Sequence, residues 1–236
     1  MRAADVGGTV LRIWRYPVKS LGGEEVQKVD VEGRGLVGDR QLGLYNSAGK
    51  IASGKEMRRF CRVPGLLMAS ARCAGEDVVL TRGERSVLAS DPTVHDQVSE
   101  WFSLPLAVAR EHEVSHFDEL PISLLTTAAL AQLADWMGIS AVEPSRFRPN
   151  LLLDWPGAGC LEDGWIGRTL VFSGGLRLEV VHPITRCVMV TQESLTAPAD
   201  PSILSTLADR HDACLGVLAR VAQTGSVSVG EQIWLE

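Results

Sequence analysis

The chain has 236 residues, 45% of them apolar, and a formal net charge of −6. That is enough for one large or two modest domains with true cores. The acidic balance excludes a global basic field for nucleic acid or an anionic membrane, so any anion site has to be built locally. The N-terminus has no charged segment followed by an apolar stretch, and no apolar run approaches a membrane span, which reads as a cytoplasmic chain without membrane contact. Five cysteines (Cys61, Cys73, Cys160, Cys187, Cys214) are widely spaced with no Cys-x-x-Cys pair. This excludes a disulfide framework, a zinc ribbon and an iron–sulfur cluster by spacing.

In chain order, Thr9 to Arg15 alternates apolar and polar residues and stops at Tyr16-Pro17, as a first strand does. Lys19 and Ser20 then fall in a tight loop bounded by Gly22-Gly23. Val26 to Val31 alternates again, and glycines 33, 35 and 38 punctuate a turn-rich segment ending in Asp39-Arg40. Leu42 to Tyr45, the turn Asn46-Ser47-Ala48-Gly49 and Lys50 to Ala52 read as a hairpin.

Lys55 to Arg62 is expected as a short helix, and Leu66 to Arg72, Asp77 to Thr81 and Ser86 to Ala89 as strands. Asp91 is an N-cap for a helix to Phe102, with Pro92 at its first position. Leu106 to Arg110 follows, then a polar stretch, Glu111 to Glu119, taken as the boundary between domains 1–112 and 113–236.

Beyond it, Thr126 or Thr127 caps a helix to Met137 that Gly138 closes. Leu151 to Leu153 is a buried strand, and Leu170 to Phe172 and Leu176 to Val181 are strands turned by Ser173-Gly174-Gly175. The apolar run is expected to break at Pro183 and resume after Cys187, so that two strands flank a corner carrying Arg186 and Cys187. Asp200-Pro201 caps a helix to about Arg210, and Gly216 to Ala222 precedes a last hairpin within Val227 to Leu235. The fold class is mainly β with a few helices, in two barrel-like halves.

Five constellations carry possible chemistry. Lys19-Ser20 offers an ammonium, a hydroxyl and free backbone N–H groups, suited to a phosphate or simply solvated. Arg40 is a second phosphate contact or an ion pair with an acid. Arg148-Pro149-Asn150 puts a guanidinium and an amide on one segment, fit for phosphate and pterin edges or for a strand-entry salt bridge. Arg186 favours the thiolate of Cys187, the form that attacks electrophiles or binds metal, unless the thiol is merely buried. His182 is a base near that thiol or a satisfied strand-end histidine. Gly-x-Ser-x-Gly, a P-loop and a strand-borne Gly-x-Gly-x-x-Gly are all missing, which removes the commonest hydrolase, NTPase and Rossmann readings.

Tyr16-Pro17-Val18-Lys19-Ser20, Gly38-Asp39-Arg40, Asp118-Glu119-Leu120-Pro121, Phe147-Arg148-Pro149-Asn150 and Thr185-Arg186-Cys187 follow one another in that order. Together they resemble the MOSC-domain family (molybdenum cofactor sulfurase C-terminal domain) with its N-terminal β-barrel domain, and within it the amidoxime-reducing members. The resemblance covers nearly the whole chain, and Val229-Gly230-Glu231 resembles the family's closing segment. It implies a C-terminal MOSC barrel and a molybdenum–molybdopterin cofactor between the domains. Cys187 would then be the catalytic residue and metal ligand. Lys19, Ser20 and Arg40 would meet the phosphate end, and Asp118, Glu119 and Leu120 would give mostly backbone contacts. Arg148 and Asn150 would bind pterin or phosphate, and Thr185 and Arg186 would flank the ligand.

The implied activity is oxidoreduction of N-hydroxylated or N-oxide-type small molecules. Electrons would come from a separate flavin or iron–sulfur partner, because no ferredoxin-like cysteine spacing follows the barrel and no membrane anchor is seen. The alternatives are a carrier of persulfide sulfur or of the cofactor, and a partner module without a working site. The stretch after Cys187 (Val188 to Ser194) lacks the Asp-Pro common in the family, which points to a different substrate pocket.

Overall fold

The computed structural model describes residues 7–112 and 115–236. The chain forms β1 (Gly8–Arg15), β2 (Glu24–Val26), β3 (Lys28–Glu32), β4 (Gly35–Leu36), β5 (Leu42–Asn46), β6 (Ile51–Ser53) and β7 (Phe60–Arg62). Next come β8 (Ala69–Ala74), β9 (Asp77–Arg82), β10 (Arg85–Leu88), α1 (Val94–Phe102) and β11 (Leu106–Arg110). The remainder adds β12 (Ile122–Thr126), α2 (Thr127–Met137), β13 (Leu151–Asp154), β14 (Thr169–Phe172) and β15 (Arg177–Thr185). It ends with α3 (Ser202–His211), β16 (Cys214–Gln223), β17 (Gly225–Ser228) and β18 (Gln232–Leu235).

Strands β13, β12, β16, β15, β14, β18 and β1 pair in that order, and β1 returns to β13 to close a seven-stranded barrel. Only β12 and β13 run parallel within it. Closure leaves that sheet little exposed edge. Val10, Ile13, Leu124, Leu151, Leu178 and Ile233, all without solvent exposure, fill it. Around a second core of Val18, Leu21, Leu44, Leu80 and Val98 lie smaller sheets, β11-β5-β6-β7 and β10-β9-β8, and a third, β17-β3-β4, packs Val29 and Val227 onto the barrel core. Helices α2 and α3 cover the barrel over Leu125, Leu133, Leu207 and Leu215. Thr126 caps α2 by accepting from the Ala129 N–H at 3.0 Å, and Gly138 ends it in the left-handed conformation, as the sequence predicts.

The partition at 112/113 falls beside residues 113–114, which lie outside the described residues, and the topology crosses it twice. β1 belongs to the barrel built otherwise by the C-terminal half, and β17 pairs with β3 of the N-terminal half. Alternation in β1 shows that one face is buried but not against what.

Other expectations are corrected by tertiary pairing. Lys55 to Arg62 is not helical: Phe60, buried in the core, starts β7, which runs parallel to β6. Leu66 to Met68 is a short 3-10 turn, and the strand begins at Ala69. Asp91 caps the turn before α1 rather than α1 itself, accepting from the Thr93 N–H at 2.7 Å. Pro183 does not end its strand. Register shifts on either side of it, between Val180 and His182 and between Pro183 and Thr185, leave the missing N–H without a ladder cost, so β15 runs to Thr185. Val188 to Thr191 is then a 3-10 turn with Val190 buried, not a strand. β17 and β18 join different sheets instead of forming a hairpin, because Val227 packs onto β3 while Ile233 fills the barrel.

Gly216 shows how tightly the barrel wall is set behind the Arg-Cys corner. Its φ is +74°, and a Cβ there would lie 2.5 Å from the Leu124 carbonyl and 3.2 Å from Nη2 of Arg186. Gly216→Ala is expected to cost about 2 kcal/mol or more from left-handed strain and backbone overlap. Chemical denaturation checks this, and an unchanged midpoint would refute it.

Candidate functional site

A cavity of about 200 Å³ opens where the barrel end meets the loops, and all eleven expected site residues line it. Lys19 and Ser20 come from the loop leaving β1, and Arg40 from the segment entering β5. Asp118, Glu119 and Leu120 precede β12, Arg148 and Asn150 precede β13, and Thr185 ends β15 with Arg186 and Cys187 just after it. Six non-glycine residues among those described have positive φ. Three of them, Ser20 (69°), Arg40 (50°) and Arg148 (53°), are cavity residues, and Asp212 and Ala213 adjoin the strand behind Arg186. Such conformations cost of order 1 kcal/mol each and persist only where packing over-determines them.

Asp39, fully buried, ties three of the loops together. Its Oδ1 accepts from the Tyr16 N–H at 2.7 Å, and its Oδ2 pairs with Nη1 of Arg40 and accepts from the Asn150 amide at 3.3 Å. Asn150, also buried, uses both ends of its amide within the protein: Oδ1 accepts from the Ser123 N–H and hydroxyl at 3.1 and 3.0 Å, and Nδ2 also donates to the Trp14 carbonyl. It therefore positions the loop and has no free edge for a ligand.

The cations differ in what holds them. Arg40 pairs with Asp39 and lies over the Tyr16 ring, with 5.0 Å to its centroid. Arg148 sits over the same ring at 4.3 Å and donates to the Leu21 carbonyl at 2.5 Å. Arg186 donates to the carbonyls of Leu215 (2.8 Å from Nε) and Phe147 (2.8 Å). Neither Arg148 nor Arg186 has a carboxylate in salt-bridge reach among the described residues, so the strand-entry salt bridge is not formed. Burial pushes both guanidinium groups down to about 10, the direction expected for charge held without a counter-ion.

Lys19 is buried against the Phe60 ring and reaches Asp118 at 3.0 Å. Burial pushes its ammonium down to about 8 although Asp118 pulls it up. Asp118, half exposed, is shared with Lys55 at 3.4 Å and Arg59 at 3.8 Å. Burial raises its carboxyl, but Lys19 and then Lys55 outweigh this and hold it near 2.

The Cys187 thiol is free, partly buried and on the cavity wall. His182 is not beside it on that wall: Nδ1–H donates to the Pro183 carbonyl at 2.9 Å and Nε2 meets Glu119 at 3.0 Å, the strand-end arrangement. Sequence reasoning missed Lys55, Ser53, Phe117 and Arg146, which also line the cavity. Arg146 binds the carbonyls of Val190, Gln192 and Pro198, pinning the segment after Cys187; its position two residues before Arg148 was the available signal. A second cavity of about 260 Å³ adjoins the first through Arg146, Arg148 and Met189.

The fold and the site define a closed β-barrel with a strained, cation-lined cavity and a thiol on its wall. The chain belongs to the MOSC-domain family: residues 111–234 match the MOSC domain and residues 7–109 the MOSC N-terminal beta barrel domain.

The chain is 22% identical over 240 residues to the molybdenum cofactor sulfurase of Caenorhabditis elegans, covering 89% of this chain and 32% of that protein. It is 23% identical to mitochondrial amidoxime-reducing component 1 of Mus musculus (82% of this chain, 68% of that one) and of Homo sapiens (78% and 66%). The chain thus spans about a third of the nematode relative and about two thirds of the mammalian ones. The crystal structure of the YuaD protein from Bacillus subtilis shares the fold, with a TM-score of 0.54 at 16% identity over 96% of this chain and 94% of that one. Among the described residues no helix is long and apolar enough to cross a membrane.

His116 yields a pH prediction. It is fully buried; Nδ1–H donates to the Arg40 carbonyl at 2.8 Å, and Nε2 accepts from the Tyr45 hydroxyl at 2.6 Å. Burial, then the neighbouring cations, push it down to about 4. The folded value lies below the unfolded one of about 6.5, so the unfolded chain binds the extra proton, and stability falls as pH drops from about 6.5 to about 4. The loss is on the order of 3 kcal/mol. Urea midpoints across that range should fall in the wild type and less steeply in His116→Gln; parallel curves would refute the assignment.

Proposed function

We propose that the cavity holds a molybdenum–pterin cofactor, and that the loaded chain is an oxidoreductase reducing N-hydroxylated or N-oxide-type small molecules with electrons from a separate flavin or iron–sulfur protein. The observation that carries this reading is the pairing of Arg148 and Arg186, cations without carboxylate partners, with the free thiol of Cys187 on one wall. An acidic chain gathers uncompensated positive charge where an anion is to bind.

The residues fit the group. Lys19, Ser20, Arg40 and Arg148 would take its phosphate, and Arg186 would favour the thiolate of Cys187 as a ligand to molybdenum. At about 200 Å³ the cavity is small for a pterin, but with the adjoining space of about 260 Å³ it enters the usual range for ligand pockets of roughly 300–1,000 Å³. The cofactor when bound supplies two-electron oxygen-atom chemistry. The chain's share is to bind and orient. Asp39 and Asn150 fix the loops, Asp118 balances Lys19 and Lys55 and is the group a phosphate would displace, and Arg146 holds the Val188 to Gln192 segment against the thiol. Free thiols at all five cysteines suit a reducing, cytoplasmic setting. The names of the mammalian relatives support the reductase activity, and that of the nematode relative supports cofactor handling.

Two measurements test this. Protein from a cofactor-competent host should contain stoichiometric molybdenum and pterin, with the metal lost in Cys187→Ala. Pterin without metal in both would replace the enzyme by a carrier, a persulfide-sensitive mass shift on Cys187 would mark a sulfur carrier, and no pterin at all would sink cofactor binding. The second measurement uses pyrophosphate as a probe of the phosphate end. Lys19 loses its proton as pH rises through about 8, so affinity should fall above pH 8 by up to about tenfold per unit. Lys19→Arg should flatten the profile; a wild type already flat to pH 9.5 would remove Lys19 from the site.

A further inference from the structure

Behind the cavity wall, beyond Arg186, three donor groups converge that the cofactor reading leaves unused. Cys160 precedes the 3-10 turn Leu161–Trp165, Asp163 lies within that turn, and His211 is the last residue of α3. One ligand atom from each lies within 4.8 Å of the others, and none of the three residues lines the cavity.

The imidazole is oriented from behind. Since the Cys214 carbonyl can only accept, the 2.9 Å contact places a proton on Nδ1, and Nε2 turns to the cluster, where it donates to Oδ2 of Asp163 at 2.8 Å until a metal takes its place. Ligating histidines are held in this way, by a carbonyl on the far nitrogen. A second observation points the same way. The Asp163 Oδ1 atom is buried with no hydrogen-bond partner. On the same turn Glu162 is fully buried; its Oε2 accepts from Thr126 at 2.7 Å, and its Oε1 is also unpartnered. Two buried carboxylate oxygens on the turn that carries the thiol thus lack a hydrogen-bond donor, although Asp163 meets His211 through its other oxygen. Burial, then Glu162 and Asp163, accordingly push the Cys160 thiol up to about 12.

We propose that Cys160, Asp163 and His211 form a site for a divalent cation of the zinc class, separate from the cofactor cavity, with a fourth position for water or the Glu162 carboxylate. Sulfur, nitrogen and oxygen donors in one cluster suit zinc, whose tetrahedral edges of about 3.3–3.8 Å need a contraction of no more than about 1.5 Å at the widest separation. Binding releases two protons to solvent, one from the Cys160 thiol and one from Nε2 of His211, and leaves a thiolate and a neutral imidazole on the metal. A simple ion pair of His211 with Asp163 at the end of α3 accounts for two of the donors, but not for the thiol or the unpaired oxygens. The ion would lock the turn to the end of α3. The carbonyls of Ala213 and Leu215 just beyond that end hold the backbone and the guanidinium of Arg186, so the site would buttress the corner that presents Cys187.

The test is cobalt(II) titration of chelator-treated protein carrying Cys187→Ala, which removes the cavity thiol. One cobalt per chain is expected, with a near-ultraviolet thiolate-to-cobalt band and the visible bands of a tetrahedral ion, both abolished by zinc. Cys160→Ser should abolish the near-ultraviolet band, and His211→Gln should weaken binding about tenfold or more. A band that survives Cys160→Ser, or the lack of any band in natively folded Cys187→Ala protein, would overturn the site. If Cys160→Ser does not fold, His211→Gln decides, and undiminished cobalt affinity there would overturn the site equally.

Discussion

The site depends on one buried carboxylate. Asp39 has no solvent exposure, and it is held by a backbone N–H from Tyr16, the guanidinium of Arg40 and the amide of Asn150. A carboxylate taken out of water is tolerable only when such donors replace its hydration. Because the three donors come from the exit of β1, the entry to β5 and the entry to β13, satisfying Asp39 forces those loops together. The cavity is the space left between them and the end of β15. Left-handed residues at Ser20, Arg40 and Arg148 show what the closure costs, since each loop turns more sharply than a side-chain-bearing residue prefers.

With Asp39 occupied by Arg40, the other cations are managed by different means. Arg148 and Arg186 lean on ring faces and backbone carbonyls, which stabilise a guanidinium without neutralising it. Lys19 has a carboxylate, but one that is half exposed and divided among three cations. An exposed, shared counter-ion is weakly held, so an incoming anion can compete for Lys19, whereas Arg40 stays paired with the buried Asp39 through Nη1 and has only its other N–H groups to offer. This division into fixed and exchangeable charge explains how a chain of net charge −6 keeps a local positive centre.

Much of this could be read from the chain because the informative motifs are local. Alternation marks β1, Thr126 and Gly138 mark both ends of α2, and the five short motifs name every residue expected at the cavity. What escaped was long-range. Nothing in Thr9 to Arg15 says that the strand closes a barrel whose other strands begin more than a hundred residues later. Lys55 was hidden because Phe60, a residue equally at home in a helix, is placed by pairing with β6 and by the cations around its ring. Pro183 looked like a break because bulges that excuse a proline leave no mark in sequence. Asn150 looked like a ligand group because an amide in a loop carries no sign of the Ser123 and Asp39 contacts that already saturate it. Cys160, Asp163 and His211 lie up to 51 positions apart in the chain and share no motif.

That β1 sits in the barrel while its exit loop carries Lys19 and Ser20 has a consequence for dynamics. The loop's backbone is bonded on both sides: Lys19 N–H to the Leu42 carbonyl, Trp14 N–H to the Asn150 carbonyl, and Arg40 N–H to the Tyr16 carbonyl. Opening the cavity by moving this loop would break the β1–β13 ladder or the contacts with β5, both rooted in fully buried cores. The segment from Val188 to Ser194 is different. It rests on the bonds of Arg146 to the Val190 and Gln192 carbonyls, the Gln192 amide to Gly54, backbone bonds of Thr191 and Ser194 to Asp200 and Ala197, and one buried side chain, Val190. Local opening free energy follows buried apolar contact, so entry to the thiol of Cys187 should run through this segment while the cation wall stays fixed. The arrangement separates the two tasks of the site: a rigid half that presents charge, and a softer rim beside the thiol.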